Sequence, residues 1–189
     1  MPVMQIYHPE DTLTAPQKQA LAGRLTDVLL RMEGGAKTPG GLAFATVLFT
    51  PVAHGDWWVG GSTDATYVQA PGKFLVRVSI PEGYMNQVHK SEVHASVNAA
   101  FLEVFKIAPS AGAGANILVT IEEITEGNWG SRGQTISLAD IAQSVGLSKA
   151  GTRFQWVLNY FAAKARQFAA AGYPADTGGL LTEDRTKGA

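Results

Sequence analysis

The chain contains no cysteine among its 189 residues. That excludes disulfides, thiol nucleophiles and cysteine-ligated metals, and it fits a reducing compartment, so a cytoplasmic protein is expected. Charge is scarce too: 16% of residues are charged and the formal net charge is −1. No global field draws such a chain to nucleic acid or to an anionic membrane. No apolar run approaches the roughly 18 residues that span a bilayer. The N-terminus lacks a basic region followed by an apolar core, so no signal peptide is expected. His89 and His94 stand five apart on a helical stretch and do not share a face. Neither a metal nor a cofactor is expected.

What is present is a hydrophobic content of 46%, ample for a globular core. The first seven residues, Met1-Pro2-Val3-Met4-Gln5-Ile6-Tyr7, read as a strand, because Val3, Ile6 and Tyr7 suit a pleated, half-buried surface. Proline is tolerated as the first residue of a strand. With Met1 removed, Pro2 carries a secondary amine, and a terminal amine titrates near pH 8, roughly 7.7–8.0. Desolvation or a nearby cation would lower that value and leave a neutral base. Pro2 is therefore the first catalytic candidate.

Thr14-Ala15-Pro16-Gln17 marks a helix start with a capping box, and Leu21, Leu25, Val28, Leu29 and Met32 follow on one face. Gly34-Gly35 is expected to end that helix. A loop over Thr38-Pro39-Gly40-Gly41 leads to a second strand, Phe44 to Phe49. The pattern then recurs. A shift of 72 residues lays Pro9-Glu10 on Pro81-Glu82, Leu21, Leu25 and Leu29 on Val93, Val97 and Phe101, and Gly55-x-Trp57 on Gly127-x-Trp129. Such a register marks a tandem duplication.

The expected fold is α+β: two tandem β-α-β units forming a four-stranded sheet with two helices on one face, plus C-terminal helices. The second copy reads as a strand over 74–80, a helix over 86–107 and a strand over 117–122. Residues 1–133 make the duplicated domain, with copies 1–61 and 73–133. Residues 134–189 make a helical extension, with helices at Leu138 to Val145 and Arg153 to Ala171 and a loose tail from Gly172. The second copy has Phe74 where the first has Pro2, so only one copy offers a terminal amine. The sheet face opposite the helices needs a cover, most simply another subunit.

A β-α-β duplication with proline behind Met1 resembles the tautomerase superfamily. The first copy is similar to 4-oxalocrotonate tautomerase, from Pro2-Val3-Met4-Gln5-Ile6 to Gly55-Asp56-Trp57-Trp58-Val59-Gly60-Gly61. The fused layout, with Asp11-Thr12-Leu13-Thr14 and Lys18, is closer to cis-3-chloroacrylic acid dehalogenase. The resemblance implies a homotrimer of fused chains and a cofactor-free site around Pro2, acting on a small carboxylic or keto acid. It implies an aromatic wall at Trp57 and Trp129. It also implies anion-binding arginines at places that hold Thr12, Thr46, Tyr84 and Leu118, and a dehalogenase arginine pair at Pro81 and Tyr84. The dehalogenase histidine falls on Leu29, and its glutamate near Ser131 or Asn128.

Four residues stand as substitutes. Arg132 lies in the hairpin segment expected to approach a proline, and its fork suits a carboxylate. Arg77 sits in a strand among apolar residues, and either lines a trimer axis or pairs with Glu122 or Glu123. Tyr84 offers a hydroxyl where the family has arginine, and His54 precedes Gly55-Asp56-Trp57. The expected function is a tautomerase or isomerase with Pro2 as general base. The alternatives are a hydratase or dehalogenase of an unsaturated 3-halo acid, with protonated Pro2 as acid, and a diverged scaffold or DNA-associated protein. The last rests on Leu138 to Lys149, which resembles the start of a repressor-type helix-turn-helix. Ala150-Gly151 breaks its register, and residues 134–189 hold only six basic against four acidic residues, so nucleic acid is not the expected partner.

Overall fold

A computed structural model describes residues 2–32, 37–174 and 176–181. The strand β1 (Val3–Pro9) leads into α1 (Ala15–Met32), a short α2 (Pro39–Phe44) and β2 (Thr46–Val52). The second unit repeats this as β3 (Phe74–Pro81), α3 (Gln87–Val104) and β4 (Ile117–Ile124). The two long helices begin and end 72 residues apart. The sheet order is β2-β1-β3-β4, with β1–β2 and β3–β4 parallel and β1–β3 antiparallel. The units therefore run head to tail across the sheet centre, and the start of β1 lies at the end of the sheet where β3 finishes.

Local chemistry explains the element ends. The capping box at α1 forms as the sequence predicts: the Thr14 amide donates to Gln17 Oε1 (3.0 Å) and the Gln17 amide to Thr14 Oγ1 (3.3 Å). The Asn86 side chain caps α3 by accepting from the His89 amide. The Gly34-Gly35 stop lies outside the described residues. One expectation is corrected. Residues 39–44 form a helical turn rather than a loop and strand start, because Pro39 occupies a first-turn position and Thr38 accepts from the Gly41 amide (2.9 Å). The second strand consequently begins at Thr46, and Pro51 is accommodated because β2 is an edge strand.

Met4 and Ile6 of β1, with Phe74, Val76, Val78 and Ile80 of β3, point into one core shared with Leu21, Leu25 and Leu29 of α1 and Val93, Val97 and Phe101 of α3. Phe74 and Phe101 pack with ring centroids 4.7 Å apart. The other face carries Val3, Gln5, Tyr7, Leu75 and Arg77, with Leu48 48% and Leu118 58% exposed.

Two short strands, β5 (Gly130–Ser131) and β6 (Gln134–Thr135), form a hairpin after β4. Then come α4 (Leu138–Ser144) and α5 (Thr152–Ala171). Leu138, Val157 and Phe161 join the same core, so these helices are part of the globule. The segment after α5 is not loose over 176–181: the Gly179 amide donates to the Glu126 carbonyl (3.0 Å) and Leu181 packs on the core.

The repeat extends to backbone detail. Asp11 (φ 59°) and Gly83 (φ 70°), one shift apart, both adopt the left-handed conformation after their strands. At Gly83 a Cβ would run into the Tyr160 ring, whereas Asp11 carries its side chain in the open.

Candidate active site

Pro2 is buried at the head of β1, and its carbonyl accepts from the Thr46 amide (3.3 Å). Its neighbour Val3 faces Thr46 on one side and Ser79 on the other. Pro2 therefore sits between the segment entering β2 and the segment leaving β3. The C-terminal helices touch both. Thr38 Oγ1 donates to the Ser144 carbonyl at the end of α4 (3.2 Å), and a Cβ on Gly40 would come within 2.6 Å of that same oxygen. On the β3 side, Tyr160 and Lys164 of α5 reach Glu82, one residue past the strand.

That junction is the main polar cluster at this end of the sheet. Tyr160 donates to Glu82 Oε1 (2.8 Å), and Lys164 Nζ to both carboxylate oxygens (2.7 and 2.6 Å). The Lys164 and Glu82 side chains are each 14% exposed. Burial pushes the Glu82 carboxyl up, but the bonds from Lys164 and Tyr160 outweigh it and hold the group below its ordinary value. The Tyr160 phenol is pushed up to about 12 by burial and by Glu82, so it stays a donor. The turn beyond is fixed by Glu123, which accepts from the Gly83 amide (3.2 Å) and pairs with Lys90 (2.9 Å).

A second carboxylate lies close in sequence to the end of β4. Glu126 is 4% exposed and accepts from the Leu138 amide at the head of α4 (3.0 and 3.2 Å). Burial raises its pKa above the ordinary value, against the lowering effect of that amide. Its bond to the first turn of α4 satisfies an otherwise orphaned donor.

The residues singled out from the sequence divide between the two ends. Tyr84 lies at the Pro2 end but is a core residue, 1% exposed, with the Arg153 guanidinium 4.9 Å from its ring centre. Trp129 also leaves the sheet at this end. Its indole N–H is buried and meets no acceptor among the described residues, and its carbonyl accepts from Ile136. Arg132 is exposed at the hairpin tip with φ 54°, followed by Gly133 at 73°, a pair suited to a two-residue turn. Arg77 lies mid-strand on the helix-free face and pairs with Glu122 through Nε (3.0 Å) and a terminal nitrogen (2.5 Å). Glu122 is one of the two partners, with Glu123, that the sequence offered.

His54 and Trp57 come after β2 and belong to the opposite end. There Pro9, Thr12, His54, Asp64, Val68 and Lys73 line an open recess. Lys73 Nζ donates to the carbonyls of Trp57 (2.9 Å) and Thr63 (2.8 Å), tying that loop down. Within one chain, then, Trp57 and His54 do not join Pro2. Sequence reasoning missed Glu82, Glu126, Tyr160 and Lys164. The repeat did flag Pro81-Glu82, but as a landmark. Among the described residues no three His, Asp or Glu side chains gather as a metal site, and no helix is long and apolar enough to cross a membrane.

This layout, a doubled β-α-β sheet with proline at the head of a central strand, defines a tautomerase-like protein. The model of the family described as "Putative oxalocrotonate tautomerase enzyme" matches residues 1–139, and the chain belongs to that family. Among solved structures, a native fused 4-OT superposes with a TM-score of 0.56 at 20% identity, over 70% of this chain and 94% of that one. N1, a member of the cis-3-chloroacrylic acid dehalogenase family, gives 0.54 at 16% identity, over 90% and 99%. A fused 4-OT described as a symmetric trimer gives 0.55 at 19%, over 73% and 97%. At these identities the likeness is one of fold. No curated protein matches the sequence.

Proposed function

We propose that the protein is a cofactor-independent tautomerase in which Pro2, with Met1 removed, is the general base on a small keto or enol acid. The observation that carries the reading is the position of Pro2, buried at the head of a central strand. Removal from water favours the neutral amine. The nitrogen takes a proton from the carbon beside the carbonyl, the electron pair moves onto oxygen as an enolate, and the proton returns at the other position. Donors aimed at the developing oxyanion lower that barrier. Arg132 and Trp129, in the hairpin segment leaving the same end of the sheet, are the proposed donors. Tyr84 shapes the floor. In a homotrimer, the form described for the fused 4-OT relative, Trp57 and His54 would complete a neighbour's site and Arg77 would lie at the subunit contact.

Hydration or dehalogenation needs a carboxylate free to activate water. Glu82 is held by Lys164 and Tyr160, and Glu126 by the Leu138 amide, which favours tautomerisation. The test is Pro2→Ala assayed on phenylenolpyruvate, after mass spectrometry has established that Met1 is absent. Equal activity in variant and parent sinks the proline mechanism.

A further inference from the structure

We infer that the C-terminal helices form an intrachain wall over the proline site, latched by Lys164 and Glu82, and that this wall selects a keto or enol monoacid with an apolar tail. The inference rests on the proline reading and adds its specificity element. Three observations carry it.

First, the helices contact the chain on both sides of Pro2: α4 at Thr38 and Gly40 before β2, and α5 at Glu82 and Gly83 after β3. Since β1 lies between β2 and β3, the pair bridges the sheet end at which Pro2 sits. Pro2 is itself buried at that end, and on this inference the wall governs the approach to its nitrogen.

Second, the contact at the β3 side is a charged latch. Lys164 spans both Glu82 oxygens, and Tyr160 adds a third bond to the same carboxylate while its ring covers Gly83. Breaking a pair this secluded is costly, which keeps the wall docked.

Third, the wall is apolar where it meets the core. Leu138, Val157 and Phe161 join Tyr84 and Met85 in one cluster. Of the cations at this end, Lys164 is held by Glu82 and Arg153 lies over the Tyr84 ring, which leaves Arg132 for the acid's one carboxylate. A second carboxylate on the ligand would be buried without a partner, at a large cost. An apolar tail taken in as the wall moves aside would pack against this cluster and gain from leaving water.

The experiment uses the full chain with Lys164→Met, a nearly isosteric change that removes the latch charge. Alkylation of the Pro2 amine by 2-oxo-3-pentynoate is followed by mass spectrometry, and amide exchange is measured across residues 80–85. The expected result is alkylation faster by roughly tenfold, the factor given by about 1.4 kcal/mol, with faster exchange at 80–85. An unchanged alkylation rate and unchanged exchange overturn the wall. If Lys164→Met does not fold, Tyr160→Phe removes a single bond of the latch and is expected to accelerate alkylation roughly threefold, one ordinary hydrogen bond's worth. No change there overturns the wall equally. For selectivity, the parent is expected to favour phenylenolpyruvate over the enol of oxaloacetate by roughly 100-fold in kcat/KM, and equal efficiency overturns the apolar assignment. Faster alkylation in the variant without turnover of either acid keeps the wall and removes the tautomerase reading. Turnover by the parent with unchanged alkylation and exchange in the variant does the reverse.

Discussion

The two ends of the sheet are built from the same segment of sequence used twice, yet one is closed and the other open. At the Pro2 end, the turn after β3 is covered by α5, its tyrosine is a core residue and its glutamate is paired. At the Phe74 end, the corresponding turn after β1 leaves Thr12 beside an open recess, where Lys73 ties down the loop through two carbonyls. The β-α-β unit therefore supplies a frame, while the segment attached after each unit decides whether its end is covered. A buried proline heads the strand at one end; a packed phenylalanine fills the matching place at the other.

The sharpest way to break this contrast is chemical. Pro2→Ala should lower turnover of phenylenolpyruvate by roughly 100-fold or more, the usual scale for losing a general base, with little change in Tm. At the other end the matching change is structural. Phe74→Ala removes a fully buried ring packed on Phe101 and should cost about 3–5 kcal/mol in urea unfolding.

The next two changes probe the closed end. Lys164→Met leaves Glu82 without its cation and should cost about 2 kcal/mol, below the value for a fully buried pair because both side chains keep some exposure. The Glu82 carboxyl lies below its ordinary value, so the stability it adds is complete above the unfolded pKa and fades as pH falls through the folded one. Glu126 runs the other way: its carboxyl is raised, so it favours the folded state at low pH and weighs against it as pH rises through the raised value. Glu126→Gln keeps an acceptor for the Leu138 amide and should raise Tm at pH 7 while leaving it unchanged at pH 3. A Tm that falls at pH 7 would show that the charge itself stabilises α4. The smallest effect belongs to the open end. Lys73→Met should cost about 1 kcal/mol, the net worth of an ordinary hydrogen bond or two, loosen residues 57–63 in amide exchange, and leave turnover unchanged.

The duplication, the sheet and both capping signals at α1 were legible because each rests on local spacing: alternation for strands, a three-to-four residue stripe for helices, and a shift of 72 residues between copies. The short α2 was not, since Thr38, Pro39 and two glycines read as a loop until the Thr38 hydroxyl is seen to cap the turn. The place of Pro2 at the head of β1 was legible in the same way, but what surrounds it was not. Lys164 lies 82 residues from Glu82 in sequence, and no local pattern announces a pair brought together by packing of Val157 and Phe161. Tyr84, chosen for its hydroxyl, has its ring in the core and against Arg153, which the sequence did not announce. His54 and Trp57 fail to join Pro2 within the chain because β1 and β2 are parallel, which sends the loop after β2 to the far end.

The shared left-handed turn carries a consequence about tolerance to change. Position 11 and position 83 have the same backbone, but they answer to different masters. A saturation library at residue 11 should return any side chain willing to take a positive φ, asparagine and glycine included. The same library at residue 83 should return glycine alone, because the Tyr160 ring occupies the space a side chain would need. Transplanting Asp11 into position 83 is thus forbidden, while moving Gly83 into position 11 is permitted.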